Sequence, residues 1–136
     1  MLRPKEIFLI ILGIILIATG CGSSGPSGPS PIMVDENNTG STVELHTGGR
    51  LKVILEGNPS TGYTWEVATV DPSILRQDCE PEFEPESNLI GASGKITMTF
   101  KAVSAGPTTL RLIYHRPWET DVPPLKTFEV AVVVRP

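Results

Sequence analysis

The chain has 136 residues, with 11 Lys and Arg against 15 Asp and Glu, which gives a formal net charge of −4 at pH 7. This acidic balance argues against a nucleic-acid-binding protein, since such proteins usually present a basic face. Glycine and proline number 13 each, a content that favours many turns, and the length predicts a single folded domain.

The first 20 residues have the pattern of an export signal. Arg3 and Lys5 precede Ile7–Ile17, an apolar run, and small residues then lead to Cys21. The run is shorter than the ~20 residues that a membrane-spanning helix needs. The sequence therefore predicts a signal peptide over residues 1–20.

The small residues and the cysteine that follows them resemble the lipobox of prokaryotic lipoproteins. In that family the cysteine thiol is lipidated and becomes the new N-terminus, which implies a lipid anchor at Cys21 and a protein that faces outward from the cell membrane. The leucine that usually stands three residues before the cysteine is Ala18 here. A secreted protein without an anchor and a protein held by an uncleaved signal are the alternatives.

Residues 21–31 contain only Gly, Ser and Pro after the cysteine. This composition predicts a flexible tether, so the folded domain is expected over residues 32–136. With Cys21 lipidated, no internal disulfide is expected at Cys79, the second of the two cysteines. A Cys21 that keeps its thiol would instead allow a bridge across the tether.

From the tether onward, apolar and polar residues alternate as they do in half-buried antiparallel strands. The clearest case is Ile96, Met98 and Phe100, which alternate with lysine and threonine. The main strands are predicted at 50–56, 64–70, 74–80, 95–102, 108–115 and 125–134, with shorter candidates at 32–35 and 42–45. The residues predicted to face the core in the other strands are Leu51, Val53, Leu55, Trp65, Val67, Thr69, Leu110, Leu112, Tyr114, Phe128, Val130, Val132 and Val134.

No stretch of this region has a sustained helical period. Short strands separated by Gly and Pro turns predict an all-β fold, an immunoglobulin-like antiparallel β-sandwich of about seven to eight strands. Successive strands then run in opposite directions, so alternate connections lie at the same end of the sandwich. The three connections 57–63, 81–94 and 116–124 are therefore predicted to meet at one end, where loops can form a binding surface.

Each of these three loops contains residues that constrain its shape or suit an interface. In the first, Pro59 fixes one φ angle, Gly62 permits a positive φ, and the Asn58 amide can bond nearby backbone. The second ends in two glycines around Ala92-Ser93. The third presents an arginine and a tryptophan, which are enriched in binding hot spots. Each motif alone is compatible with an ordinary turn, but the three together indicate a binding end.

The three motifs together resemble the signature loops of the chagasin family, inhibitors of papain-like cysteine peptidases with an immunoglobulin-like sandwich. They read Asn-Pro-Ser-Thr-Gly-Tyr at 58–63, Gly-Ala-Ser-Gly at 91–94 and Arg-Pro-Trp at 116–118. The resemblance extends from about Thr42 to Val134 and includes Trp65 as the family's core aromatic. The family usually has threonine at the position of Ser60.

The resemblance implies reversible, non-covalent inhibition in which three loops occlude the cleft. Ser60 and Thr61 would sit at the catalytic centre, the second loop would lie along one side, and the third would pack on the other. The implied peptidase-binding residues are Asn58, Pro59, Ser60, Thr61, Gly62, Tyr63, Gly91, Ala92, Ser93, Gly94, Arg116, Pro117 and Trp118.

Side chains outside the three loops give no strong indication of a metal site or of catalysis. The acidic residues between Asp78 and Glu86 lack the spacing of a calcium loop, and a solvated loop is the preferred interpretation. Cys79 has no peptidase signature around it, so no catalytic residue, metal or cofactor is expected. A monomer is expected, and its partners are papain-like cysteine peptidases and, through Cys21, a membrane. The alternative function is that of an immunoglobulin-like surface lipoprotein that binds another ligand or serves in adhesion.

Overall fold

The computed structural model describes residues 29–136. The predicted signal peptide, Cys21 and most of the tether lie outside the described residues. Within them, nine strands and two short 3-10 helices, Glu36–Asn38 and Pro59–Thr61, form the fold. The strands are β1 (Ile32–Asp35), β2 (Thr42–His46), β3 (Arg50–Gly57), β4 (Thr64–Thr69), β5 (Leu75–Gln77), β6 (Glu82–Pro85), β7 (Gly94–Ala102), β8 (Gly106–His115) and β9 (Lys126–Arg135).

The strands are divided between two sheets. One has the order β1-β3-β7-β5, with β6 also paired to β7, and the other has the order β2-β9-β8-β4. The predicted all-β sandwich is confirmed, and the pairings from β3 onward are antiparallel. The two N-terminal strands add a feature that the sequence did not predict, because β1 pairs with β3 and β2 with β9 in parallel.

The core lies between the two sheets and contains the alternating residues predicted for it. Strand β7 shows the pattern clearly, since Ile96, Met98 and Phe100 are buried while Lys95 and Lys101 are exposed. Burying a large apolar side chain contributes roughly 1.5–3 kcal/mol. The largest fully buried side chains are Phe100, Phe128, Leu51, Leu55, Leu75, Met98, Leu110, Leu112, Val53, Val130 and Val132.

One predicted core position is wrong. Thr69 is exposed, because the register of β4 against β8 shifts between Val67 and Thr69. Such a bulge inserts an extra residue and reverses the faces of the residues that follow it. Val70, the next residue, packs against the core instead.

The region between 74 and 94 also differs from the prediction. The strand expected at 74–80 is only Leu75–Gln77, and Glu82–Pro85, expected in a loop, forms β6 along β7. The second loop is therefore confined to residues 86–93. Gly94 belongs to β7 and is buried, and a Cβ there would overlap the carbonyl oxygen of Glu84.

Cys79 differs from the prediction as well. It is disulfide-bonded in the structure, so the expectation that no disulfide forms there is not met.

No helix within residues 29–136 has the length and apolar character to cross a membrane.

Candidate functional site

Three loops meet at one end of the sandwich, as the strand directions predicted. They are the first loop (58–63), the second loop (86–93) and the third loop (116–125), which follow β3, β6 and β8. The side-chain Nδ2 of Asn58 donates to the carbonyl oxygen of Gly91 at 2.9 Å, and this bond joins the first and second loops. The Arg116 Nε donates to the carbonyl oxygen of Thr61 at 3.1 Å, which joins the third loop to the first.

The first loop is held in a tight turn by its own polar groups. Asn58 caps the 3-10 helix, since its Oδ1 accepts from the Ser60 backbone nitrogen at 3.1 Å. The Thr61 hydroxyl donates to the Asn58 carbonyl oxygen at 2.7 Å. Gly62 closes the turn at a φ of +81°, a conformation that other L-residues resist. Pro59 removes further freedom, so the loop keeps this shape without a ligand.

An aromatic column connects the core to the first loop. The rings of Trp65 and Tyr114 have centroids 5.1 Å apart, and Tyr114 and Tyr63 stack at 5.2 Å. Offset aromatic contacts of this kind add stability beyond that of area burial. The buried Tyr114 hydroxyl accepts the backbone N–H of Asn58 at 2.9 Å, so the core fixes the point where the first loop begins.

Arg116 lies at the outer end of this column and reaches back to the first loop. Its guanidinium is 4.4 Å from the centre of the Tyr63 ring, a cation–π contact. Its Nη1 is 3.1 Å from a carboxylate oxygen of Glu119. Tyr63 is therefore enclosed between Arg116 and Tyr114, and both residues support the loop surface from within the protein.

Trp118 is the most prominent side chain of the third loop, with 67% of its surface exposed. One edge of its indole lies against Gly62, where a Cβ would overlap the Cη2 atom. The contact sets the position of the ring and leaves most of its face open to a partner. The exposure predicted for Trp118 is confirmed, as is the burial predicted for Trp65, which is 3% exposed.

The second loop presents an apolar tip that the sequence analysis missed. Leu89 is 78% exposed and Ile90 is fully exposed. The signal in the sequence was two adjacent aliphatic residues in a loop, next to the Gly-Ala-Ser-Gly motif and outside any alternating pattern. A groove of about 310 Å³ separates this tip from the first loop, with Pro59, Phe83 and Leu89 in its walls.

An ion pair bridges the bases of the first and second loops. The Lys95 ammonium lies 3.0 Å from a Glu56 carboxylate oxygen, and this hydrogen bond lowers the pKa of Glu56 and raises the pKa of Lys95. Both groups are exposed, so the pair contributes little to stability. Residues 29–136 contain no group of three His, Cys, Asp or Glu side chains placed to hold a metal ion.

The structure brings together most of the predicted site residues. Asn58 through Tyr63, Gly91 through Ser93 and Arg116 through Trp118 lie at one end of the fold. Gly94 is buried in β7, and Tyr63 is only partly exposed, beneath Arg116. The exposed residues at this end include Pro59, the turn at Ser60–Thr61, the tip at Leu89–Ile90, Pro117 and Trp118.

Comparison with known protein sequences identifies related proteins. The family model described as "Chagasin family peptidase inhibitor I42" matches residues 44–132. Amoebiasin-2 of Entamoeba histolytica is 31% identical over 104 residues, which cover 76% of this chain and 85% of that protein. Chagasin of Trypanosoma cruzi is 32% identical over 89 residues, which cover 62% of this chain and 81% of that protein.

Solved structures show the same similarity. The crystal structure of the cysteine protease inhibitor EhICP2 from Entamoeba histolytica superposes with a TM-score of 0.70 at 27% identity, covering 79% of this chain and 100% of that chain. The solution structure of Amebosin superposes with a TM-score of 0.63 at 28% identity and the same coverage.

Proposed function

The chain belongs to the chagasin family of peptidase inhibitors, and we propose that it inhibits papain-like cysteine peptidases reversibly by inserting its three loops into the active-site cleft. Ser60 and Thr61 enter beside the catalytic cysteine and histidine of the peptidase. The second loop lies along one wall of the cleft and the third loop along the other.

The observation that carries this proposal is the linkage of the three loops into one surface. Hydrogen bonds from Asn58 to Gly91 and from Arg116 to Thr61 join loops that are far apart in sequence. A surface that is ordered before binding loses little conformational entropy when it meets a partner. The exposed apolar residues of this surface then supply contact area, with Trp118 the clearest hot-spot candidate.

The shape of the first loop also explains why a peptidase would not cleave it. A cysteine peptidase attacks a peptide held extended across its nucleophile, whereas Pro59–Thr61 is coiled into a 3-10 helix that closes at Gly62. The Asn58 and Thr61 side chains hold that turn. The loop therefore fills the catalytic centre without presenting an extended bond, and inhibition needs no covalent step.

We further propose that the protein acts outside the cytoplasm, where a disulfide such as that of Cys79 persists. The basic start and the apolar run that precede Cys21 support this location. A lipid anchor on Cys21 is the alternative in which its thiol takes no part in a disulfide, and the Gly, Ser and Pro tether would then hold the inhibitor domain away from the lipid surface.

The test is a titration of the purified mature protein into papain at fixed peptide substrate. Stoichiometric loss of activity that recovers on dilution supports the proposal. Full papain activity at micromolar protein would contradict it and favour the alternative of an immunoglobulin-like surface lipoprotein with another ligand.

A further inference from the structure

The guanidinium of Arg116 is engaged by three groups of the protein itself. Its Nε donates to the carbonyl oxygen of Thr61, its guanidinium lies over the ring of Tyr63, and its Nη1 donates to the Glu119 carboxylate. The side chains of Arg116 and Glu119 are only 36% and 28% exposed. Two of its five N–H groups are therefore used within the protein, and these two bonds fix where the guanidinium lies.

Glu119 is the one member of this arrangement that no binding motif contains. It follows Trp118 in a turn that its own backbone N–H closes by donating to the Arg116 carbonyl oxygen at 3.0 Å. The turn places its carboxylate 3.1 Å from the guanidinium. A carboxylate in this position fixes the orientation of the planar guanidinium group. That orientation determines whether Nε points at the Thr61 carbonyl oxygen.

We infer that Glu119 is a positioning residue: it orients Arg116, and Arg116 in turn holds the Thr61–Gly62 segment of the first loop in the shape that inhibits. Supporting residues that lock the rotamers of contact residues are a general requirement of precise binding sites. The inference rests on the proposed function for its effect on inhibition, whereas its effect on loop order does not depend on any peptidase.

The first test measures loop order in the free mature protein. We expect NMR order parameters of the Thr61 and Gly62 amides near ~0.85 in the parent, the value of rigid backbone, and clearly lower in Glu119→Ala, toward the ~0.6 that marks a flexible segment. Glu119→Gln should retain most of the order, because its amide oxygen can still accept from Arg116. Equal order in Glu119→Ala and the parent would overturn the inference.

The second test measures inhibition of papain by the same variants. Glu119→Ala should raise the inhibition constant on the order of fivefold, and Glu119→Gln should restore most of the loss. In an Arg116→Ala background, Glu119→Ala should add little, since the two residues act as one unit. Unfolding midpoints should stay close to the parent's, which separates positioning from a general loss of stability.

The matched control is the ion pair of Arg135 with Glu44, which is 2.8 Å long and lies at the end of β9 away from the loops. Glu44→Ala should leave both the loop order and the inhibition constant unchanged. A raised inhibition constant with unchanged loop order in Glu119→Ala would mean direct contact with the peptidase and would contradict positioning. A parent that fails to inhibit papain would contradict the proposed function, while the order parameters would still decide the role of Glu119.

Discussion

The indole of Trp118 lies directly against Gly62, so that the third loop rests on the turn of the first loop. Gly62 has a φ of +81°, and a Cβ at this position would overlap the Cη2 atom of the ring. Position 62 therefore requires glycine for two reasons: the backbone has a positive φ, and the tryptophan ring occupies the space that a Cβ would take. The two loops consequently form one surface.

Gly62→Ala tests this relationship. The alanine would strain the left-handed backbone by about 1–2 kcal/mol, and its methyl group would push Trp118 out of position. We expect a large loss of papain inhibition together with a modest loss of stability.

Gly40 provides the matched control, because its φ is +83° and no atom lies within 4 Å of a Cβ built there. Gly40→Ala should lose similar stability in thermal unfolding and keep the parent's inhibition constant. Equal inhibition constants for both alanine variants would show that the Trp118 contact has no role in binding.

Trp118→Ala should weaken binding to papain by at least about 2 kcal/mol, the threshold of a hot spot. The side chain is 67% exposed, so its removal leaves no cavity and the unfolding midpoint should be nearly unchanged. Inhibition constants and unfolding midpoints are measured on the same proteins.

Trp65→Ala serves as the comparison, since Trp65 is 3% exposed and its indole N–H donates to the Glu56 carbonyl oxygen at 3.0 Å. This variant should lose about 3–5 kcal/mol of stability. If Trp118→Ala unfolds the domain while Trp65→Ala affects only inhibition, the assignment of the two tryptophans is reversed.

The alternation in β7 predicts opposite results for two adjacent residues. Phe100 is completely buried, and Phe100→Ala should lower the free energy of unfolding by about 3–5 kcal/mol. Lys101 is exposed, and Lys101→Ala should change the free energy of unfolding by less than about 0.5 kcal/mol. Chemical denaturation of both variants checks the pair, and similar midpoints would be incompatible with the described core.

The disulfide of Cys79 and a lipid on Cys21 are distinguished by the mass of the mature protein with and without a reductant. The chain has two cysteines, so a disulfide at Cys79 within one chain uses the sulfur that lipidation needs. Because Cys79 is disulfide-bonded, we expect the parent to carry no lipid and to gain the mass of two hydrogens on reduction, and Cys79→Ser to show no such gain. A lipid-modified Cys21 together with a Cys79 thiol would contradict the disulfide and support the membrane anchor.

The alternation of apolar residues predicted most of the fold. It identified the inward faces of β3, β7, β8 and β9 correctly because these strands are long and regular, so that a period of two is clear. It failed at β4, where a bulge reverses the alternation after Val67, and at β6, a four-residue strand whose residues are all exposed, so that no buried face marks it. The parallel pairing of β1 with β3 and of β2 with β9 was not predicted, because it depends on long-range contacts that a short strand does not encode.

The candidate site was predictable where glycine, proline or a large aromatic residue constrains a loop. Gly62 and Trp118 carry such signals in their residue type. The role of Tyr63 was not predictable, because its position between Tyr114 and Arg116 depends on the pairing of β4 with β8. The Arg116–Glu119 pair depends likewise on the geometry of one turn.

The central claim, that the loop surface occupies the active-site cleft, is tested most directly by binding to papain in two blocked forms. In one form a bulky peptide-like inhibitor is covalently attached and fills the cleft, and in the other the catalytic cysteine carries only a methylthio group. We predict that calorimetry detects no binding to the first form and clear binding to the second. Equal binding to both forms would place the contact outside the cleft and would contradict the account.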